Sequence, residues 1–208
     1  MKKLTVTNRK IFAKRHVFTV GLLSVLVCQP GANAVDGTLT FNGVITPGTC
    51  DLSVSPSSIN FGSVDAASLI GGQWASAGTT PFTVKLSGCT GVGGGALTPG
   101  VKISGTLNDD PAIQAAGGNK WLFKTGGTSK GFGVVVYTSE TPNLGSNEAE
   151  NDQYIPVTGY AAGSSLPAAG ADVKLAAAVS TGRSAWSAAK NLQAGTLTAA
   201  VTFTFAYH

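Results

Sequence analysis

The side chains that could support catalysis are few in this sequence of 208 residues. Of its two histidines, His208 is the last residue of the chain. A serine–histidine–aspartate arrangement built on it would lie at an end that frays, which works against a fixed geometry. The glycine-containing segment 126–130 lacks the G-x-x-x-x-G-K-[ST] order of a phosphate-binding loop and indicates an ordinary turn. These observations predict a protein that is not an enzyme and needs no cofactor.

Two groups of side chains leave a binding role open. The carboxylates of Glu148, Glu150 and Asp152 could offer oxygens to calcium, but their spacing lacks the glycine and the terminal glutamate of an EF-hand loop. A solvated loop is therefore favoured, and no metal is predicted. A sugar could stack on the tryptophans, which are Trp74, Trp121 and Trp186. Tryptophan in a β-sandwich more often packs in the core or against a loop, and that interpretation is favoured.

The first 34 residues have the composition of a secretory signal peptide. The apolar run 17–27 is too short to span a membrane permanently, and Ala32-Asn33-Ala34 forms a cleavage motif of small residues. We expect the mature chain to begin at Val35, with an uncleaved N-terminal anchor as the alternative. The basic residues before the apolar run are Lys2, Lys3, Arg9, Lys10, Lys14 and Arg15.

Removal of this signal reverses the net charge. The chain has 14 basic and 10 acidic residues, and six of the basic ones leave with the signal, so the mature chain has eight basic residues against ten acidic ones, a net charge of −2. No basic surface then favours nucleic acid or anionic lipid. We expect neither a nucleic-acid partner nor permanent insertion in a membrane.

Two cysteines, Cys50 and Cys89, remain after export, because Cys28 leaves with the signal. An even pair of cysteines in an exported chain indicates a disulfide bond. Closing a loop of about 40 residues would stabilise the fold by about 4 kcal/mol.

Alternation of apolar and polar residues predicts β-strands throughout the mature chain. Turn-forming stretches such as 91–95 and 141–147 separate the candidate strands. Residues 186–190 could form a helical turn, but no long amphipathic helix, repeat or second domain is evident, and the pattern predicts an all-β sandwich. The candidate strands are 38–45, 59–61, 82–87, 101–103, 133–137, 173–179 and 197–207.

Both ends of the mature chain have apolar strand patterns. Near the N-terminus Leu39, Phe41, Gly43 and Ile45 alternate with polar residues, and the C-terminal segment 197–207 is strongly apolar on one face. An apolar strand at an unpaired sheet edge aggregates unless another strand covers it. The pattern therefore favours a protein that assembles by exchanging strands.

Four features in order resemble the type 1-like fimbrial subunits of the bacterial chaperone–usher pathway, over essentially the whole mature chain. They are the segment 37–45 before the first cysteine, the pair Cys50 and Cys89, the segment 81–89 that brings in the second cysteine, and a C-terminal pattern of Gly195 with the penultimate Tyr207. The chain departs from this family in the Ala/Gly-rich stretch 161–189, where the sequence leaves the strand register unassigned.

The resemblance implies an incomplete immunoglobulin-like sandwich that a donor strand from a neighbouring subunit completes. It divides the chain into a signal peptide (1–34), an N-terminal donor strand (35–49) and a pilin domain (50–208). In the donor strand Leu39, Phe41, Gly43 and Ile45 would face inward together. A groove beside the C-terminal strand would receive first a strand of a periplasmic chaperone and then, at an outer-membrane usher, the donor strand. The implied groove residues are Gly195, Leu197, Val201, Phe203, Phe205 and Tyr207.

The implied function is that of a structural subunit of an adhesive surface pilus. Its partners would be identical or related pilins, the chaperone and the usher, and it would pass through the periplasm to the fimbrium on the cell surface. A major rod subunit is favoured. The alternative is a minor adaptor or a tip-associated pilin that binds a ligand, but the donor-like strand begins almost at the predicted cleavage site, which leaves no room for an N-terminal lectin domain.

Overall fold

The computed structural model describes residues 48–115, 119–183 and 187–208. Within these ranges it contains one short α-helix, α1 (Pro111–Ala115), and none of its helices is long and apolar enough to cross a membrane. Single 3-10 turns occupy Ala66–Leu69, Asn119–Trp121 and Ala189–Asn191. The strands are β1 (Thr49–Ser55), β2 (Ser76–Thr90), β3 (Pro99–Gly105), β4 (Gly133–Tyr137), β5 (Tyr154–Pro156), β6 (Ala171–Ser180) and β7 (Val201–Tyr207).

The strands form two antiparallel sheets. The first sheet has the order β1-β2-β6-β4, and the second has the order β5-β3-β7. The long strand β2 joins its neighbours, because Val84 lies opposite Val54 of β1 and opposite Val173 of β6. In the second sheet, β7 pairs with β3 along its whole length. This arrangement of two packed antiparallel sheets confirms the predicted fold class as an all-β sandwich.

The main hydrophobic core lies between the inner faces of the two sheets. The first sheet contributes fully buried side chains such as Val84 and Leu175, and the second contributes Ile103. Phe82 of β2 contacts Phe203 of β7 across the sandwich, with 5.7 Å between ring centroids. Each large side chain buried in this way stabilises the fold by about 1.5–3 kcal/mol.

Strand β4 is buried on both of its faces. Val134 and Val136 point into the main core, whereas Val135 and Tyr137 point to the outer face of the first sheet. There they join a second cluster, which also contains Trp74, Ile113, Leu122, Ala176 and Ala178. Burial raises the pKa of Tyr137. Coverage on both faces explains why residues 133–137 form an unbroken apolar run instead of an alternating pattern.

The candidate strands in segments 82–87, 101–103, 133–137 and 173–179 are confirmed by β2, β3, β4 and β6. The segment 59–61 is instead a loop, because the Asn60 side chain accepts a hydrogen bond from the amide of Gly62 (2.9 Å) and so stabilises a turn. The last strand begins at Val201, later than expected, and the helical turn lies at Ala189–Asn191. The segment 38–45 lies outside the described residues.

The predicted disulfide bond between Cys50 and Cys89 is confirmed. It links β1 to the end of β2 and closes a loop with a sequence separation of 39 residues. The covalent link therefore ties the edge strand β1 to the centre of its sheet.

We expect Cys50→Ser to lower the free energy of unfolding by about 2–5 kcal/mol, because the unfolded chain would regain the conformational freedom that the closed loop removes. Urea unfolding of the purified protein measures this loss. Wild-type protein unfolded in the presence of a reductant is the matched control and should lose a similar amount. An unchanged unfolding midpoint in both samples would show that the bond contributes nothing to stability.

Candidate functional site

The strands β1 and β7 are the neighbouring edges of two different sheets. β1 pairs with β2 and β7 pairs with β3, and no other strand in the described part of the chain pairs with their second sides. Their inward side chains are half-buried: Leu52 and Val54 on β1, and Val201, Phe203 and Phe205 on β7. Such an edge presents backbone N–H and C=O groups to any strand that approaches it.

A groove opens between these two edges. One cavity of about 460 Å³ is lined by apolar side chains that include Val54, Phe82 and Phe203, with Val136 and Ala177 among its other lining residues. A second cavity of about 640 Å³ continues it past Phe132 and Val179. The two share their lining at Ile59, Phe61, Leu197 and Thr198, and together they are called the groove below.

The C-terminal segment 193–207 forms one wall of the groove and is held from its far side. Thr198 donates its amide to the carbonyl of Gly126 (3.0 Å), and the amide of Ser129 donates to the carbonyl of Thr196 (3.0 Å). From Val201 onward, β3 takes over this pairing. The wall is therefore positioned by the chain itself, and its other side faces the groove.

Gly195 lies where this wall comes very close to a neighbouring turn. A Cβ atom at this position would lie 2.5 Å from Oγ1 of Thr128 and 2.7 Å from the amide nitrogen of Ser129. Only glycine allows the two backbones to approach so closely without displacement. Gly195 also lines the cavity of larger volume, the one of about 640 Å³.

The end of β7 is anchored separately. The ring of Tyr207 packs over Gly93, and its hydroxyl accepts a hydrogen bond from the amide of Leu166 (3.4 Å). His208 exchanges two backbone hydrogen bonds with Thr98, at 2.8 and 3.0 Å, and its imidazole stacks on Tyr154 at 4.3 Å between centroids. The one histidine in the described residues thus serves as an anchor at the end of the strand.

The structure brings most of the implied groove residues together. Gly195, Leu197, Val201 and Phe203 line the two cavities. Phe205 and Tyr207 continue the same wall beyond the cavities, with their rings 5.2 Å apart in an edge-to-face contact. The implied donor residues, Leu39, Phe41, Gly43 and Ile45, lie outside the described residues, so their role stays a prediction.

Sequence reasoning missed the opposite wall of the groove. Ile59 and Phe61 were expected in a strand, but they belong to the loop after β1 and face the groove from the side opposite Leu197. The sequence pattern that could have predicted this role is the presence of two large apolar residues in a stretch rich in Ser, Pro and Gly. Large apolar side chains in a turn-rich loop are stabilised when they pack against other apolar side chains. Here they pack against the main core where it borders the groove.

The carboxylates considered for calcium have other partners. Glu148 accepts the amide of Gly145 (2.6 Å), and the Glu150 carboxylate lies 3.9 Å from the Lys120 ammonium. Asp152 pairs with Lys102 at 2.7 Å, and this hydrogen bond raises the pKa of Lys102. In the part of the chain that the structure describes, no group of three or more His, Cys, Asp or Glu side chains could hold a metal ion.

Taken together, the groove offers two unpaired strand edges above an apolar floor. An extended peptide laid between them could pair with β7 through its backbone and place alternate side chains against the floor. This is the geometry of β-augmentation, in which main-chain hydrogen bonds supply affinity and alternate side chains supply specificity.

Known proteins resemble this chain in sequence and in structure. The sequence profile of a family described as "Fimbrial protein" matches residues 39–208. No curated protein sequence matches the chain. Among solved structures, the P pilus rod subunit PapA is 16% identical, with a TM-score of 0.42, and the match covers 82% of this chain and all of that one. A chaperone–usher pilus structure, whose study concerned rod uncoiling, is 19% identical with a TM-score of 0.49, covering 86% of this chain and all of that one.

Proposed function

Because the chain belongs to the fimbrial proteins, the structural subunits of surface pili, we propose that it polymerises by donor-strand exchange through the groove. It is a structural subunit and not an enzyme. One observation carries the proposal: the half-buried apolar side chains of β1 and β7 flank an open groove between the unpaired edges of two sheets. A strand inserted there would pair with the free backbone groups at the edge of β7 and cover the half-buried apolar side chains that flank the groove.

The donor in this proposal is the segment 35–49 of the neighbouring subunit, whose last residue, Thr49, is already the first residue of that subunit's own β1. Leu39, Phe41, Gly43 and Ile45 would enter the groove together, since alternate residues of a strand point to one side. The span from Leu39 to Ile45 is six residue steps, or about 20 Å in a strand. The strand β7, from Val201 to Tyr207, has the same number of steps. The donor set therefore matches β7 in length.

The chaperone and usher partners belong to the same proposal. A subunit with an open apolar groove would aggregate before it met its neighbour. A periplasmic chaperone that lends a strand to the groove would prevent this, and exchange at an outer-membrane usher would replace that strand with the donor. The signal peptide at 1–34 would deliver the chain to the periplasm, and assembly would place it in the fimbrium.

Within the pilus we propose the position of the major rod subunit, with a minor adaptor as the alternative. A chain with both a donor segment and an acceptor groove can be repeated without limit along a filament, because each copy completes one neighbour and is completed by another.

The groove proposal predicts different results for two adjacent substitutions on β7. Phe203→Asp would place a charge against the apolar floor, at a cost of several kcal/mol without a partner, and should abolish capture of the chain by its chaperone. Thr204→Asp is the matched control, because Thr204 is exposed on the other side of the strand. Co-purification from the periplasm measures capture. Equal yields for both variants would show that this face is not the one engaged.

The donor proposal predicts that deletion of residues 35–46 leaves the chaperone-bound fold intact and abolishes pili. The finer variant Gly43→Leu adds bulk at one inward position and should slow or block polymerisation, since overpacking costs about 1–3 kcal/mol. A synthetic peptide spanning residues 35–48 should bind a subunit with an empty groove and raise its Tm. Loss of the chaperone complex on deletion, or normal pili from the truncated chain, would each rule out the donor role.

The rod position predicts that an antibody against this chain labels isolated pili along the whole shaft. Immunogold electron microscopy makes the measurement, and pili from a strain that lacks the chain provide the background. Labelling confined to one end would assign the chain to the adaptor position and leave the strand-exchange proposal unaffected.

A further inference from the structure

A cavity of about 510 Å³ lies outside the groove, and it is called the outer pocket below. Trp74 and Trp121, which line it, pack with the outward side chains Val135 and Tyr137 of β4. The inward side chains of that strand, Val134 and Val136, line the groove instead. The groove and the outer pocket therefore lie on opposite faces of the first sheet. A strand that filled the groove would leave the outer pocket open.

The aromatic wall of the outer pocket is built from Trp74 and Trp121. Their rings meet edge to face, with centroids 5.7 Å apart and planes at 83°. Trp74 is almost fully buried, whereas Trp121 is half-buried. The guanidinium of Arg183 lies 5.2 Å from the Trp121 ring centroid. Trp74 thus fixes the position of a second indole that is partly exposed at the cavity.

The opposite wall is polar and comes from the segment 145–153. Glu148, Glu150 and Asp152 contribute carboxylates to the lining. Each carboxylate can accept about four hydrogen bonds, so the contacts already described leave acceptor capacity. Asn151 donates its side-chain amide to Asp152 (3.0 Å), and its carbonyl oxygen accepts the amide of Gly105 (2.9 Å).

Both walls are held in unusual backbone conformations. Trp74 has a φ of 57° and Asp152 a φ of 66°, and these are the two non-glycine residues with positive φ in the described part of the chain. A bulky residue rarely adopts this region, and such conformations concentrate at binding sites. Hydrogen bonds fix each one: the amide of Trp74 donates to Gly182 (2.8 Å), and that of Asp152 donates to Ile103 (2.8 Å).

We propose that the outer pocket binds a neutral saccharide of one or two rings. Lys120 and Arg183 lie 5.8 and 5.2 Å from the Trp121 ring centroid. The C–H face of a sugar would lie against the part of the indole that these two cations leave uncovered, and its hydroxyls would donate to the carboxylates of Glu148 and Glu150. Lys102, Lys120 and Arg183 balance the three carboxylates, so the pocket does not demand a charged ligand. A volume of about 510 Å³ lies in the usual range for small-molecule sites.

The test is a binding measurement on the full exported chain with four neutral probes: methyl glucoside, methyl galactoside, lactose and the disaccharide of N-acetylglucosamine. Saturation-transfer NMR detects the bound sugar, and tryptophan fluorescence follows the titration. We expect at least one probe to saturate the site at or below about 50 mM, the range of a weak but specific interaction. If no probe binds up to that concentration, the proposal is overturned.

Two variants and a matched control locate the site. Trp121→Ala should weaken binding at least about tenfold, and Glu150→Gln should weaken it several-fold by removing an acceptor charge while keeping the shape. Glu140→Gln is the control, since Glu140 forms a similarly exposed pair with Lys174 (3.6 Å) away from the pocket, and it should bind normally. Trp121→Phe, which retains a ring, should keep part of the affinity and guards against misfolding of the alanine variant.

The result is independent of strand exchange. Glu150→Gln should assemble into pili normally, because Glu150 does not line the groove. Binding that survives both Trp121→Ala and Glu150→Gln, or that Glu140→Gln weakens as much as Glu150→Gln does, would overturn the assignment of the sugar to this pocket.

Discussion

The unpaired sides of β1 and β7 are the constraint on which the rest of this structure depends. The two strands belong to different sheets, and the floor between them is made of core side chains such as Phe82 and Val136. A closed sandwich would bury this floor with a strand of its own chain. Within the described residues the side chains that flank this floor, such as Val54 and Phe203, stay half-buried, and under the proposed strand exchange a strand from another subunit would cover them. Under that proposal the same strand would join two subunits and remove apolar surface from water, so assembly would also stabilise the fold.

The groove is preformed, which affects how a partner strand can bind. The wall 193–207 is paired on its far side with the turn at 126–130 and with β3, and Gly195 allows the close approach that this pairing needs. At the other end, Tyr207 and His208 fix the strand against Gly93 and Thr98. Under the proposed strand exchange, an incoming strand would therefore spend little of its binding energy on ordering the acceptor, and the main cost would be its own ordering.

The sequence predicted the fold class because period-two alternation survives wherever one face of a strand is buried. It also indicated that the C-terminal segment is apolar on one face, since Leu197, Val201 and Phe203 belong to one alternating pattern. It did not predict Ile59 and Phe61 as a loop facing the groove, because short apolar pairs around a polar residue look alike in strands and in loops. The outer pocket was not predictable either. Trp74 and Asp152 are distant in the sequence, and only the packing of loops on β4 brings them into one cavity.

Alternation along β4 links these two sites. Odd and even residues of one five-residue strand face opposite sides of the first sheet, and each side has its own apolar cluster. In most sandwiches the outer face of a sheet is polar and solvated. Here α1 and the segments that carry Trp74 and Trp121 cover this face instead. They build a second concave surface, which lies outside the groove. If the proposed strand exchange takes place in the groove, one face of the first sheet serves assembly and the other stays available for contact with the surroundings.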